Sequence, residues 1–415
     1  MSLISVVSAT FSHADPIIEG VLERTGFPLI DDDALVERAV ERSGMSESAV
    51  ARAFSSRRSV FNSFTRERER ALAHLKVETA ESVARDEVLV SGFGAHLIPV
   101  SVTHALRVCL VADLPSRVET ARTAANLDDK AASRQIRRHD EDLGVWVKEQ
   151  RGSDDPWSPS LYDIVVPTDK TTSGDAIDLI VENLGKEAIQ PTAASRQAVE
   201  DFLVAARVER ELATNGHHVD VDCRAGRVTL TINKHVLMLG RLEDELKEIA
   251  GRVEGVRSVE TRVGKDFYQT DIYRKVDFET PSRVLLVDDE REFVQTLSER
   301  LEMRDVGSAV AYDGESALQM VEQDEPDVMI LDLKMPGIDG IEVLRRVKAT
   351  NPHIEVIILT GHGSDEDCKT CMELGAFAYL QKPVDIEALS ETLRKANEKA
   401  RETARARERK DDSHP

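Results

Sequence analysis

Short apolar runs at residues 4–8, 87–92, 106–112 and 162–167 alternate with long amphipathic or charged stretches. Brief runs rich in β-branched residues read as buried strands and the stretches between them as helices, so residues 1–185 predict an α/β domain with a mainly parallel sheet. A proline and small-residue run then breaks the period, and 186–196 reads as a linker. Beyond it the order changes to a helix at 198–213, alternating strands at 218–225 and 227–233, a helix at 241–253 and a strand at 256–264, a small α+β unit over 197–265. Residues 266–281 carry no period and read as a second linker. From 282 to 398, strand and helix alternate five times, which predicts a doubly wound (βα)5 sheet. The end, 399–415, is charged on every face and is expected to be a fraying helix or a disordered tail.

Composition narrows the function classes. The chain has 415 residues, too many for one ordinary core, and is 41% apolar and 31% charged, as packed soluble domains are. Its net charge of -22 opposes non-specific binding to phosphate backbones or anionic lipid, and no DNA-binding motif is found, so a transcription factor is not expected. Four scattered cysteines, Cys109, Cys223, Cys368 and Cys371, make no disulfide framework and point to a reducing, cytoplasmic setting. The first residues lack the basic start of a secretion signal. The longest apolar-rich stretch, 88–112, is broken by His96, Pro99, His104 and Arg107, so no transmembrane segment is expected.

In a doubly wound sheet, functional side chains gather beyond the carboxyl ends of the strands. In the last domain these ends carry Asp288 and Asp289, Asp332, Thr360 and Lys382. Any one of the acids alone would read as a helix cap. Three carboxylates together repel one another, and a hard divalent cation with oxygen ligands, Mg2+, explains them better. Such a cation shields an incoming phosphoryl group, one carboxylate can attack phosphorus to give an acyl phosphate, and Lys382 and Thr360 can hold the transferred oxygens. Cys368 and Cys371 form a C-x-x-C without matching ligands elsewhere and read as helix residues, as His217, His218, His353 and His362 read as turn or loop residues.

The segments VLLVDDE at 284–290, LDLKMPGIDG at 331–340, LTGHG at 359–363 and YLQKPV at 379–384 resemble the receiver domains of two-component response regulators, in the same order. The resemblance implies a flavodoxin-like fold with Asp332 as phosphoacceptor. It also implies Mg2+ held by Asp289, Asp332 and the backbone carbonyl of Lys334, with Asp288 acting through water. Thr360 and Tyr379 match the switch pair, Pro383 matches a position associated with a cis peptide, and the implied partner is a sensor histidine kinase or a phosphotransfer protein.

Residues 3–184 resemble cytidylate-kinase-like proteins, of the P-loop-kinase-like α/β class, through the first strand, SGFGAHLIP at 91–99, LRVCLVADLPSRVETA at 106–121, AASRQIRRHDED at 131–142 and YDIVVPTD at 162–169. Phosphate binding needs a glycine-rich turn and a basic side chain. Here residues 10–16 hold neither glycine nor lysine, Asp15 repels phosphate and Pro16 lacks an amide proton. Asp140 is followed by Glu141, Asp142 and Leu143 where that family places an arginine, leaving Arg137 and Arg138 solvated. The domain is expected to bind or interact without catalysing; Gly92, Gly94 and Arg117 are the candidates for any weak nucleotide binding, which the sequence leaves open. A receiver-regulated nucleoside monophosphate kinase is the alternative. Residues 225–232 and 249–263 resemble a BON domain, which implies a surface for a protein partner, self-association or lipid; TINKHV at 231–236 departs from its usual glycine.

Overall fold

The computed structural model describes residues 2–411 except 57–58, 235, 237, 266, 268–282, 303, 305 and 362–363. Nearly all of the expected second linker, and His362, lie outside the described residues. The chain forms two compact units, one of residues 1–58 and 67–274, the other of residues 59–66 and 275–415.

The first unit contains two sheets. Strands β1 (Leu3–Ser8), β2 (Leu29–Ile30), β3 (Leu89–Ser91), β4 (Ala105–Val111) and β5 (Ile164–Pro167) pair in parallel in the order β2-β3-β1-β4-β5. The sheet is buried on both faces, with Leu3 and Val7 in one core and Ile4 and Val6 in the other. That double burial explains why the strands read as continuous apolar runs. Strand β2, only two residues long, has no pattern of its own and was not foreseen.

The second sheet joins β6 (Asp220–Arg224), antiparallel to β7 (Arg227–Ile232), with β8 (Ser258–Val263) parallel to β7. The helix Ala193–Thr214 serves both sheets: Val199 lies in a core of the first, Val208 and Leu212 in the core of the second. It begins inside the segment expected to be a linker, because Thr192 and Ser195 form a reciprocal capping box. Ser195 also meets the buried His104 ring, Oγ to Nδ1 2.9 Å, so this start is fixed by a long-range contact as well as by the local one.

The second unit is built on β9 (Val284–Val287), β10 (Ser308–Ala311), β11 (Val328–Leu331), β12 (Glu355–Thr360) and β13 (Ala378–Gln381), all parallel, in the order β10-β9-β11-β12-β13. Its buried residues include Phe61, fully covered among Leu285, Val321 and Met329, and Asp324 accepts from the Val60 amide at 2.9 Å. The final helix runs from Ile386 to Asp411, well into the stretch expected to fray or be disordered. Lys399 secures it by an ion pair at 3.0 Å to Glu355, itself buried at the start of β12.

Candidate functional site

The order β10-β9-β11-β12-β13 sends successive crossovers to opposite sides of β9, and the crevice that results lies beyond the carboxyl ends of β9 and β11. Asp288 follows β9 directly and Asp332 follows β11. Their backbones are pinned by the ladder, with Asp332 N–H donating to Val287 O at 2.9 Å and Asp288 N–H to Ala311 O at 3.2 Å. Asp288 and Asp332 are buried and Asp289 is exposed. One carboxylate oxygen from each lies within 4.8 Å of the others, and among the described residues this is the one cluster of three or more acidic, His or Cys groups with that geometry.

Lys382, just past β13, places its ammonium 2.6 Å from Asp288 and 3.0 Å from Glu290, over the Phe293 ring at 4.3 Å. Burial pushes the Asp288 carboxyl up, and Asp332 adds to this, while Lys382 and the Glu290 amide pull against it. Burial alone would lower the Lys382 ammonium, but its hydrogen bonds to the two carboxylates outweigh that and raise it. Asp288 also accepts from Glu290 N–H at 2.9 Å, a local turn bond just before the helix Arg291–Glu302. Asp332 differs: its Oδ1 is buried with no hydrogen-bond partner among the described residues. A buried carboxylate oxygen left unpaired is costly, and a cation or an incoming phosphoryl group would satisfy it.

Thr360, at the end of β12, is buried, and the Tyr379 hydroxyl is buried with no partner among the described residues. Lys334 is exposed two residues after Asp332. The Lys382–Pro383 bond is cis. Gly340 carries no signal of its own in the sequence, yet a Cβ there would collide with the Asp332 carbonyl, so only glycine lets the following helix approach the loop after β11. Cys371 is buried and its thiol is pushed up to about 11, and all four cysteines are free, in keeping with a packing role for the C-x-x-C.

Residues 284–394 match the response regulator receiver domain family. Sporulation initiation phosphotransferase F of Bacillus subtilis (strain 168) is 35% identical over 113 residues, 27% of this chain and 91% of that protein. The chain belongs to the response regulator receiver family. This receiver makes the chain a two-component response regulator, whose phosphoryl source is a histidine kinase or phosphotransfer protein. The chain spans about half, 49%, of response regulator MprA of Mycobacterium avium (strain 104), to which it is 35% identical over 112 residues. A solved receiver domain from Clostridium thermocellum is 35% identical, covering 28% of this chain and 95% of its own, with a TM-score of 0.28. Residues 4–170 match the cytidylate kinase-like family.

In that kinase-like region, the loop after β1 is closed by its own contacts. Phe11 and His13 take left-handed conformations, φ 60° and 54°, which glycine would adopt without strain. Thr168 Oγ1 donates to Ser12 O at 2.5 Å, and His13 Nε2 meets Thr120 Oγ1 at 2.7 Å. The candidate residues for weak nucleotide binding are engaged internally. Arg117 pairs with Asp140, and the amides beside Gly92 and at Gly94 are taken by Asp32, which accepts from Phe93 N–H at 2.8 Å and Gly94 N–H at 2.9 Å. Arg137 and Arg138 are exposed. A cavity of about 440 Å3 at the ends of β1 and β3 is lined by Asp15, Glu19, Asp31, Asp32 and Asp33, with no lysine or arginine.

In the small sheet, His217 is buried beside Glu245 at 3.2 Å, an internal polar contact that the turn reading did not anticipate. His353 lies 3.2 Å from Glu325. Among the described residues no helix is long and apolar enough to cross a membrane.

Proposed function

We propose that Asp332 is the phosphoacceptor of this receiver and that the modified receiver alters the interactions of the preceding modules in the cytoplasm. The observation that carries the assignment is the unpaired, buried Oδ1 of Asp332 beside Asp288, Asp289 and Lys382. A carboxylate oxygen of Asp332 attacks the phosphorus of a phosphohistidine; the P–N bond breaks, the imidazole takes a proton, and an acyl phosphate remains. Lys382 neutralises a transferred oxygen, for which it must share or leave its contact with Asp288. The donor set of Asp288, Asp289, Asp332 and the Lys334 carbonyl suits Mg2+, which supplies charge shielding when bound. Thr360 and Tyr379 form the switch: the added charge gives the Thr360 hydroxyl a strong acceptor, and the unpartnered Tyr379 hydroxyl follows.

The kinase-like module, 1–185, acts by binding, because phosphoryl transfer depends on positioning and charge neutralisation and its loop offers neither. A nucleoside monophosphate kinase is accordingly not favoured. The BON-like module, 197–265, has the helix–strand–strand–helix–strand order and serves a protein partner or self-association. Incubation of the full chain with acetyl phosphate tests the acceptor: labelling should require Mg2+, stop with a chelator and be absent from Asp332→Asn. Equal labelling of that variant would refute the assignment.

A further inference from the structure

We infer that Arg151 anchors a binding site for a small organic anion, a single carboxylate or phosphate on an apolar body, in the cavity between the kinase-like region and the small sheet. That cavity, of about 830 Å3, is walled by Lys76, residues 96–101 and Arg151 from the kinase-like region, by the helix Ala193–Thr214, and by residues 221–224 of β6. All of these belong to the first compact unit. Junctions between modules are a common place for small-molecule sites of this size. The cavity shares no lining residue with the acid-walled one at the ends of β1 and β3.

The charge on its wall lacks a counter-charge. Arg151 ends the helix Asp129–Arg151, and its Nη1 donates to Ile98 O at 2.9 Å. Among the described residues Nε and Nη2 have no bonding partner, and no carboxylate comes within ion-pair distance of this guanidinium. The helix end favours a cation there but supplies no bond to those two nitrogens. Burial holds Arg151 below its usual range, so the fold bears the cost of a half-buried charge that a bound anion would remove. Nearby Arg107 is already spent on the carbonyls of Pro99, Val102 and Ala105. His96 is held neutral, lowered to about 3 by burial, Arg151 and Arg107. The wall's three acids are engaged as well: Glu209 with Lys76 at 2.8 Å, Asp222 with Arg224 at 3.2 Å, and Asp201 by the Gly226 amide and Gln197, each at 3.3 Å. A free guanidinium edge suits the planar pair of oxygens of a carboxylate, or two oxygens of a phosphate. Leu97, Val100, Phe202 and Val221 line the rest, and Val100 is 70% exposed, so the body that follows the charged head is apolar.

The test is calorimetry of the full chain with octanoate, octyl phosphate, octanol and acetate, for wild type, Arg151→Gln and Arg224→Gln. Wild type should bind octanoate or octyl phosphate at least about tenfold more tightly than octanol, which lacks the charge, and acetate, which lacks the body. The tighter of the two heads identifies carboxylate or phosphate as the natural group, and equal affinities mean that the site reads either. Arg151→Gln should bind at least about tenfold more weakly. Arg224→Gln alters a cation on the same wall that is exposed and paired, and should bind as wild type does. If tryptophan fluorescence shows Arg151→Gln unfolded, Arg151→Lys, which keeps the charge but not the fork, should show a smaller loss in the same direction. Octanol or acetate binding as tightly as octanoate, no binding of either anion by wild type, full affinity in a folded Arg151 variant, or an equal loss in Arg224→Gln overturns the inference. It does not rest on chemistry at Asp332, so the same results are expected in an Asp332→Ala background.

Discussion

Acidification from about pH 7.5 to about pH 5 should destabilise the first unit by roughly 2 to 3 kcal/mol, a value set by three buried groups. His96 and His74 are both 5% exposed. Burial, with nearby Arg151 and Arg107, lowers the His96 imidazole from 6.5 to about 3. Burial, with Arg70, Arg210 and Arg42, lowers His74 from 6.5 to about 4. Each folded value lies below the unfolded one, so the unfolded chain binds more protons in this window. The stability each ring contributes is fully present above its unfolded value and is lost as pH falls toward its folded value. Both folded values lie below 5, so at that pH the loss is set by the unfolded value, about 2 kcal/mol for each ring. Asp32 opposes them: burial, against the Gly94 and Phe93 amides and with Asp31 and Asp33, raises it from 3.8 to about 6, so its protonation in the fold recovers roughly 1 to 1.5 kcal/mol at the same pH. His104, lowered chiefly by burial, adds to the loss. Both tryptophans of the chain, Trp146 and Trp157, belong to the first unit, so urea unfolding followed by their fluorescence reports on it selectively. His74→Gln/His96→Gln should abolish the loss and leave the opposing recovery from Asp32, reduced by the contribution of His104. Wild type that is as stable at about pH 5 as at about pH 7.5 would refute the reasoning.

Lys382→Ala leaves buried Asp288 without its ammonium and should cost the receiver about 3 kcal/mol; calorimetric melts should show Mg2+ restoring more stability to this variant than to wild type. Gly340→Ala forces a methyl group against the Asp332 carbonyl and should cost about 1 to 3 kcal/mol while slowing acetyl-phosphate labelling, both absent if the helix can shift freely. Ser195→Ala removes the hydroxyl that accepts from the Thr192 N–H in the capping box and the partner of His104 together, and urea unfolding followed by tryptophan fluorescence should show a loss of about 1 to 2 kcal/mol.

The receiver was legible because its chemistry is tied to local pattern. Each of Asp288, Asp332, Thr360 and Lys382 ends a strand that reads as a strand, and a parallel sheet brings such ends together without further information. The parallel sheet of the first unit was legible for the same reason, apart from the two-residue β2. Contacts between segments remote in sequence were not. Asp140 and Arg117 were each noted in the sequence, one as a departure and the other as a ligand candidate, but nothing local says that they pair across two helices. Asp32 holding the backbone at Phe93 and Gly94, Phe61 buried in the second unit, and His104 on Ser195 are likewise products of packing. The start of the helix Ala193–Thr214 does carry a local signal: Thr192 followed three residues later by Ser195 is a capping pair, masked by the adjoining proline and alanines, which read as a linker.

Asp332 as the acceptor is tested most directly by trapping the modified residue. The full chain is phosphorylated by acetyl phosphate with Mg2+, reduced with borohydride, which converts an aspartyl phosphate to homoserine, and mapped by peptide mass spectrometry. The account predicts homoserine at position 332 and at no other aspartate. Homoserine at Asp288 or Asp289, or an unmodified Asp332 in a protein that carries label, would contradict it.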